Sequence, residues 1–200
     1  MRKLFPITLL LSLVAGPLPA QDPLPTYPRL LIETNSGDFE VELYSNKAPL
    51  TVRNFLEYVD SGFYSGTIFH RLVPGFVAQT GGYDTDYKLK PTRKSIPNES
   101  GNGLSNRRGF IAMARTGEPH SADSQFYINL ADNLSLDPRP TRWGYTVFGR
   151  IVEGMEVIDK IGYVATGRGP IPELSKDVPV EAIIIEKITL LNPNNEPVVD

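Results

Sequence analysis

Phe69-His70-Arg71-Leu72-Val73-Pro74-Gly75-Phe76-Val77-Ala78-Gln79-Thr80-Gly81-Gly82 holds two apolar runs of strand length on either side of Pro74-Gly75. Pro presets one backbone angle and Gly opens the left-handed region, so the pair marks a tight turn. The same punctuation recurs along the chain. Ile68 to Val73, Phe76 to Ala78, Phe110 to Ala114, Gln125 to Leu130 and Tyr145 to Ile151 are each closed within a few residues by Gly, Pro, Asn or Asp. Short runs with such spacing are the pattern of a closed or nearly closed antiparallel sheet. Upstream, Arg29 to Thr34 and Asp38 to Tyr44 flank Asn35-Ser36-Gly37, and Phe39, Val41 and Leu43 alternate with acidic neighbours, which predicts a hairpin with one buried face. Ala48-Pro49-Leu50-Thr51-Val52 opens a helix whose Val52, Phe55, Leu56 and Val59 share a face until Ser61-Gly62 stops it. A second helix is predicted over Val152 to Ile161, and Glu181 to Leu191 reads as a final β-branched strand. In an extended Phe69-His70-Arg71, His70 and Arg71 point to opposite faces, so only one of them serves a given groove.

The 200 residues include 18 Pro, 17 Gly, two His and no Cys, with a formal charge of −3. Pro and Gly at that level argue for many short elements joined by turns and against an all-helical bundle. Without Cys there is no disulfide framework, thiolate metal site or Cys nucleophile, and two His with scattered acids are no basis for a metal centre. The mild acidity excludes a phosphate-backbone binder, so no nucleic-acid partner is expected. Arg2 and Lys3 precede an apolar run from Leu4 to Ala15 and a small-residue break at Gly16-Pro17-Leu18-Pro19-Ala20, which reads as a signal peptide over residues 1–20 with cleavage after Ala20. The run is too short to span a bilayer, which takes about 20 apolar residues, so no stable membrane insertion is expected. Removing Arg2 and Lys3 with the leader leaves 18 basic against 23 acidic residues, a formal −5. Residues 21–28 carry three Pro and read as an extended arm, residues 29–191 as one domain, residues 192–200 as a tail, and residues 84–97 as a surface loop. The expected compartment is the periplasm, with secretion as the alternative.

The quoted stretch closely resembles the signature of the cyclophilin family of peptidyl-prolyl cis/trans isomerases. Asn98-Glu99 with Gly103-Leu104-Ser105-Asn106, then Gly109 to Arg115, Ser124 to Asn129 and Val147-Phe148-Gly149, follow in the family's order. The resemblance runs from Arg29 to about Leu191, and Ala112 to Thr116 with Gly144 to Gly149 look most like the exported bacterial branch. Several blocks in register are far more specific than one motif. The resemblance implies an eight-stranded antiparallel β-barrel closed by two α-helices, working without cofactor or metal.

The implied reaction is rotation about an X-Pro bond, whose barrier of about 18–20 kcal/mol comes from amide resonance. A fixed guanidinium aimed at the prolyl nitrogen favours the twisted amide, because that nitrogen regains lone-pair density there. By resemblance the donor is Arg71, and Gln79 positions the substrate and orients the Arg. Phe76, Val77, Tyr127 and Leu136 match the proline pocket, Ala114 and Arg115 the segment whose backbone pairs with the peptide, and Gln125 and Tyr145 further groove positions. Val77 stands where the family commonly has Met and Tyr127 where it often has Phe, which implies a slightly altered pocket with a wetter edge. Ser135 occupies the position of the drug-binding Trp of the cyclosporin-sensitive members and Tyr145 that of a frequent His, so weak cyclosporin binding is expected unless nearby Trp143, next to the loop from Asp137 to Arg142, replaces the indole.

The expected partners are proline-containing segments of unfolded exported proteins, taken up by a monomer. Two alternatives stand beside this reading. A proline-peptide binding module or holdase would share Phe76 and Tyr127 but not depend on Arg71, and a lipocalin-like ligand barrel would need a hollow interior that the alternating Val, Ile and Phe residues argue against.

Overall fold

In the computed structural model, residues 24–192 and Pro197 are described; the leader, the start of the Pro-rich arm and most of the tail lie outside them. The strands are β1 (Arg29–Thr34), β2 (Phe39–Leu43), β3 (Thr67–Ile68), β4 (Arg71–Val73), β5 (Val77–Thr80), β6 (Phe110–Met113), β7 (Phe126–Asn129), β8 (Val147–Glu153), β9 (Thr166–Gly167), β10 (Val178–Pro179) and β11 (Ile184–Leu190), with helices α1 (Pro49–Asp60) and α2 (Met155–Gly162). Nine strands form one antiparallel sheet in the order β3-β11-β1-β2-β8-β6-β7-β5-β4, and β9 with β10 form a separate ribbon.

The two ends of that order, β3 and β4, are consecutive in the chain and separated only by Phe69 and His70. The sheet therefore curls until its edges meet in one segment: Ile68 stands opposite Ile184 of β11, while Arg71, Leu72 and Val73 stand opposite Gln79, Ala78 and Val77 of β5. This explains the count of nine where eight were expected. The run from Ile68 to Val73 is one length of chain, but it leaves one partner strand and joins another, and the two residues at the crossover belong to neither ladder. Curling removes the exposed edges that an open sheet presents.

The alternation in the sequence is reproduced as burial. Leu30, Ile32, Phe39, Val41 and Leu43 point inward and are at most 1% exposed, and Phe126, Ile128, Ile111 and Phe148 fill the interior from the other strands. Phe55 of α1 packs its ring against Tyr64, Phe126 and Phe148 at centroid distances of 5.0–5.2 Å. The barrel is thus filled by side chains, the opposite of what the ligand-barrel alternative requires. Space is short enough that Gly149 is required where β8 pairs with β2, since a Cβ there would stand 2.6 Å from the Glu42 carbonyl.

Helix α1 lacks a capping side chain of its own, because its N-cap is Ala48. Glu99 supplies the cap from a distant loop: its carboxylate accepts the Leu50 and Thr51 backbone N–H groups at 3.1 and 2.8 Å and the Thr51 hydroxyl at 2.7 Å. A negative group at a helix N-terminus meets both the orphan donors and the positive end of the dipole. Helix α2 begins three residues later than its apolar period suggested. Strand β8 continues to Glu153, and Gly154, at φ 78°, turns the chain into the helix. Val157, Ile158 and Ile161 then join the core.

Candidate active site

Four strands carry one continuous row of side chains on the outer face of the barrel. Arg71 of β4 stands opposite Gln79 of β5, Gln79 opposite Tyr127 of β7, and Tyr127 opposite Ala112 of β6. Directly paired residues in antiparallel strands share a face, so these four, with Val77 two residues before Gln79, lie together. Their neighbours Leu72, Ala78, Phe126, Ile128 and Ile111 face the interior and belong to the main core. Val77, Ala112, Tyr127 and Val147 instead form a second apolar cluster, against which Phe76, Ala114, Leu136 and Tyr145 pack.

This second cluster floors a groove of about 380 Å³ lined by Arg71, Phe76, Val77, Gln79, Ala114, Arg115, Tyr127, Leu136 and Tyr145. Nine of the ten residues proposed from the sequence are brought together here. The tenth, Gln125, lies in an adjoining hollow of about 170 Å³ that shares Gln79, Ala114 and Arg115 with the groove and is otherwise polar, with Thr116, Ser121 and Asp123. Trp143 stands elsewhere: it is half-exposed and lines a separate cleft with Ser100 and the Pro138–Arg142 loop. Its position gives no support to its taking the place of the Trp that is absent at Ser135.

The pocket walls are set by buried polar groups that the sequence reading passed over. The Tyr127 hydroxyl donates to Asn106 Oδ1 at 2.7 Å, and Asn106 is held in turn by donating its backbone N–H and its Nδ2 to Asp137 Oδ1 at 2.7 and 2.9 Å. Asn133 Nδ2 donates to the Phe76 carbonyl and to Asn129 Oδ1, both at 2.8 Å. Tyr127 is 4% exposed, and burial, with Tyr145 and Asp137 nearby, raises its phenol well above the usual tyrosine range. The wetter pocket edge expected from Tyr in place of Phe is therefore not what the fold makes of this residue: the hydroxyl is turned into protein and leaves the ring face to the groove. Asparagines look like turn residues in sequence, so their role here becomes legible only when 106, 129 and 133 are seen to converge.

Along the rim, Arg115 is pinned by donating to the backbone carbonyls of Gly144, Thr116 and Trp143 at 2.9–3.2 Å. Its guanidinium lies 4.6 Å from the Tyr145 ring centre, and Tyr145 meets Tyr127 edge-on at 5.9 Å. Gln79 is engaged on the side away from the Arg71 guanidinium. Its Nε2 donates to Gln125 Oε1 at 2.9 Å, and among the described residues no hydrogen bond joins it to Arg71. Gln125 is itself wedged against Gly82, where a Cβ would stand 2.6 Å from its side chain.

His70 and Arg71 diverge as an extended backbone requires. His70 is 3% exposed, its ring centre 4.7 Å from that of Tyr83, and its Nδ1 has no hydrogen-bond partner. Burial, aided by the charge of Arg71 and opposed by the Ile68 backbone and the Gln125 side chain, lowers its pKa from 6.5 to about 4. It is a neutral core residue at pH 7, and Arg71 alone of the two reaches the groove.

A partly exposed guanidinium beside a groove floored by apolar side chains suits a substrate with an apolar ring and a nitrogen that gains electron density. The family model described as cyclophilin type peptidyl-prolyl cis-trans isomerase/CLD matches residues 29–190. The chain is 48% identical over 167 residues to peptidyl-prolyl cis-trans isomerase A of Dickeya dadantii, covering 83% of this chain and 86% of that one. It is 49% identical over 160 residues to peptidyl-prolyl cis-trans isomerase B of Escherichia coli, covering 78% and 96%. A crystal structure of a cyclophilin type peptidyl-prolyl cis-trans isomerase of Cryptosporidium parvum superposes with a TM-score of 0.69 at 26% identity, over 83% of this chain and 98% of that one. Sequence, fold and groove agree: the chain belongs to the cyclophilin-type peptidyl-prolyl cis-trans isomerases.

Proposed function

We propose that this isomerase accelerates X-Pro rotation in unfolded or maturing exported proteins, with Arg71 as the donor to the prolyl nitrogen. The observation that carries the reading is the Arg71 guanidinium standing at an outer-face pocket walled by Phe76, Val77, Tyr127 and Leu136. The pyrrolidine ring enters that pocket and is held while the flanking peptide turns. In the planar amide the prolyl nitrogen shares its lone pair with the carbonyl; as the bond twists, the pair returns to nitrogen and accepts a hydrogen bond from Arg71. The interaction forms only in the twisted state, so it lowers the barrier rather than tightening ground-state binding. No bond is made or broken.

Ala114 and Arg115 hold the peptide backbone beside the pocket, so recognition depends on the proline and on main-chain pairing, and broad specificity follows. Export is supported by the leader pattern in residues 1–20, and substrates on the same route fold with slow prolyl steps of roughly tens of seconds. The acting form is a monomer that binds cyclosporin weakly, in line with Ser135 where the cyclosporin-sensitive members carry Trp.

The test is exchange of an Xaa-Pro peptide in the presence of the full chain and of Arg71→Ala, with a parallel peptide titration. Loss of a preorganised donor is expected to reduce catalysis roughly 10²–10³-fold while binding changes little. A native chain that binds the peptide without accelerating exchange would establish proline-segment recognition instead. Fusion of residues 1–20 to a reporter that is active only outside the cytoplasm checks export; a silent fusion removes the proposed compartment.

A further inference from the structure

Among the described residues, Arg71 enters the groove with one counter-ion. The Asp177 carboxylate stands 3.9 Å from Arg71 Nε, with both side chains about one-third exposed. Among the described residues, no hydrogen bond joins the Arg71 guanidinium to a carbonyl or to another side chain, and Gln79, its cross-strand neighbour, is engaged with Gln125.

Asp177 is held in place by backbone rather than by its charge. Its carbonyl accepts the N–H of Leu72, the residue next to Arg71, at 2.7 Å. That bond ties the segment to the edge of β4 that faces away from β5. The next residue, Val178, begins β10 and pairs with Gly167. Asp177 itself has φ 61°, one of two non-glycine residues in the left-handed region among those described. Asp enters that region at lower cost than most side chains, yet such conformations persist only where the surroundings impose them. Here the conformation turns the carbonyl to Leu72 and the carboxylate to Arg71 from one residue.

We infer that Asp177 is a positioning residue for the isomerase site, directing the Arg71 guanidinium into the groove. Its carboxylate meets Nε, the donor nearest the stem of the side chain. Both Nη groups remain without an intramolecular hydrogen bond, as a donor to an incoming prolyl nitrogen must be. A guanidinium on a stem with several rotatable bonds otherwise spreads over many rotamers, and each productive encounter carries the cost of ordering it. This assignment rests on the reading of Arg71 as the donor, and Asp177 touches substrate only through Arg71.

The experiment is a double-mutant cycle on the full chain with Asp177→Asn, Arg71→Ala and the pair. Asn keeps the shape of the side chain and tolerates left-handed φ. The exchange rate of the bound Xaa-Pro peptide is measured by NMR and the dissociation constant by titration. Asp177→Asn is expected to slow bound-state exchange about two- to five-fold, the range of a partly exposed ion pair, with the dissociation constant unchanged. Placed on Arg71→Ala it is expected to cause no further loss. If the Asn variant does not fold, Asp177→Gly, which also accepts positive φ, is read in the same way. Unchanged exchange in Asp177→Asn overturns the assignment, as does an equal loss on the Arg71→Ala background. Failure of the isomerase reading is separate, because it appears in the native chain as binding without acceleration.

Discussion

The buried His70 ties the pH dependence of stability to one side chain that the chemistry does not use. Its pKa falls from 6.5 to about 4 on folding, so between those values the unfolded chain binds a proton that the native chain refuses. Stability rises with pH wherever the unfolded state holds more protons. The His70 contribution is therefore complete above pH 6.5 and is lost as pH falls towards 4. With one pKa unit equivalent to about 1.4 kcal/mol, the drop from pH 7 to pH 4 is about 3 kcal/mol. The assay is urea unfolding at half-unit intervals from pH 4 to pH 8 for the native chain and for His70→Gln, which occupies similar space and does not titrate. Carboxylates protonate in both proteins and cancel in the difference. The difference curve is expected to be flat above pH 6.5 and to move in favour of the variant by about 3 kcal/mol down to pH 4. Parallel curves for the two proteins would refute the reasoning, and so would a His70 ring that titrates near 6.5 by NMR.

Isomerase activity, by contrast, is expected to vary little between about pH 6 and 9 if Arg71 is the donor, because an arginine keeps its charge throughout; a steep sigmoid within that range would show that a titrating group, and not Arg71 alone, sets the rate. Tyr127→Phe removes the hydroxyl that Asn106 Oδ1 accepts and is expected to destabilise the fold by about 1–3 kcal/mol in chemical denaturation; equal stability would show that Asn129 Nδ2, 3.4 Å from the same oxygen, takes over that bond. Glu99→Ala strips the cap from α1 and is expected to reduce stability by about 1–2 kcal/mol, read as a lower urea midpoint at unchanged slope. Gly149→Ala forces a Cβ against the Glu42 carbonyl and is expected to lower the melting temperature through about 1–3 kcal/mol of strain; an unchanged melting temperature would mean that the β2–β8 ladder shifts freely at this pair.

Elements held together by local chemistry were legible without coordinates. The hairpin of β1 and β2 follows from alternation around Gly37, α1 from Pro at its start and a single apolar face, and the short strands from the turn residues that bound them. The residues of the groove were legible for a different reason: the blocks from Phe69 to Gly82, Gly109 to Arg115 and Ser124 to Asn129 carry the family pattern in order, with departures at Val77 and Tyr127. What no local pattern contains is distance between remote segments. The capping of α1 by Glu99 spans some fifty positions, and Tyr127 is anchored through Asn106 to Asp137. The division of the run from Ile68 to Val73 at Phe69-His70 depends on which strands lie beside it once the sheet has curled.

The sequence by itself determined that this chain forms a small, mainly antiparallel β domain with two helices and carries the blocks of its family in order, because periodicity, turn chemistry and motif order are properties of neighbouring residues. The tertiary structure alone decided that the groove lies on the outside of a filled barrel, that Gln79 turns to Gln125 and that Asp177 faces Arg71. Side-chain direction depends on strand register and on segments more than a hundred residues apart, and only the closed fold brings these together.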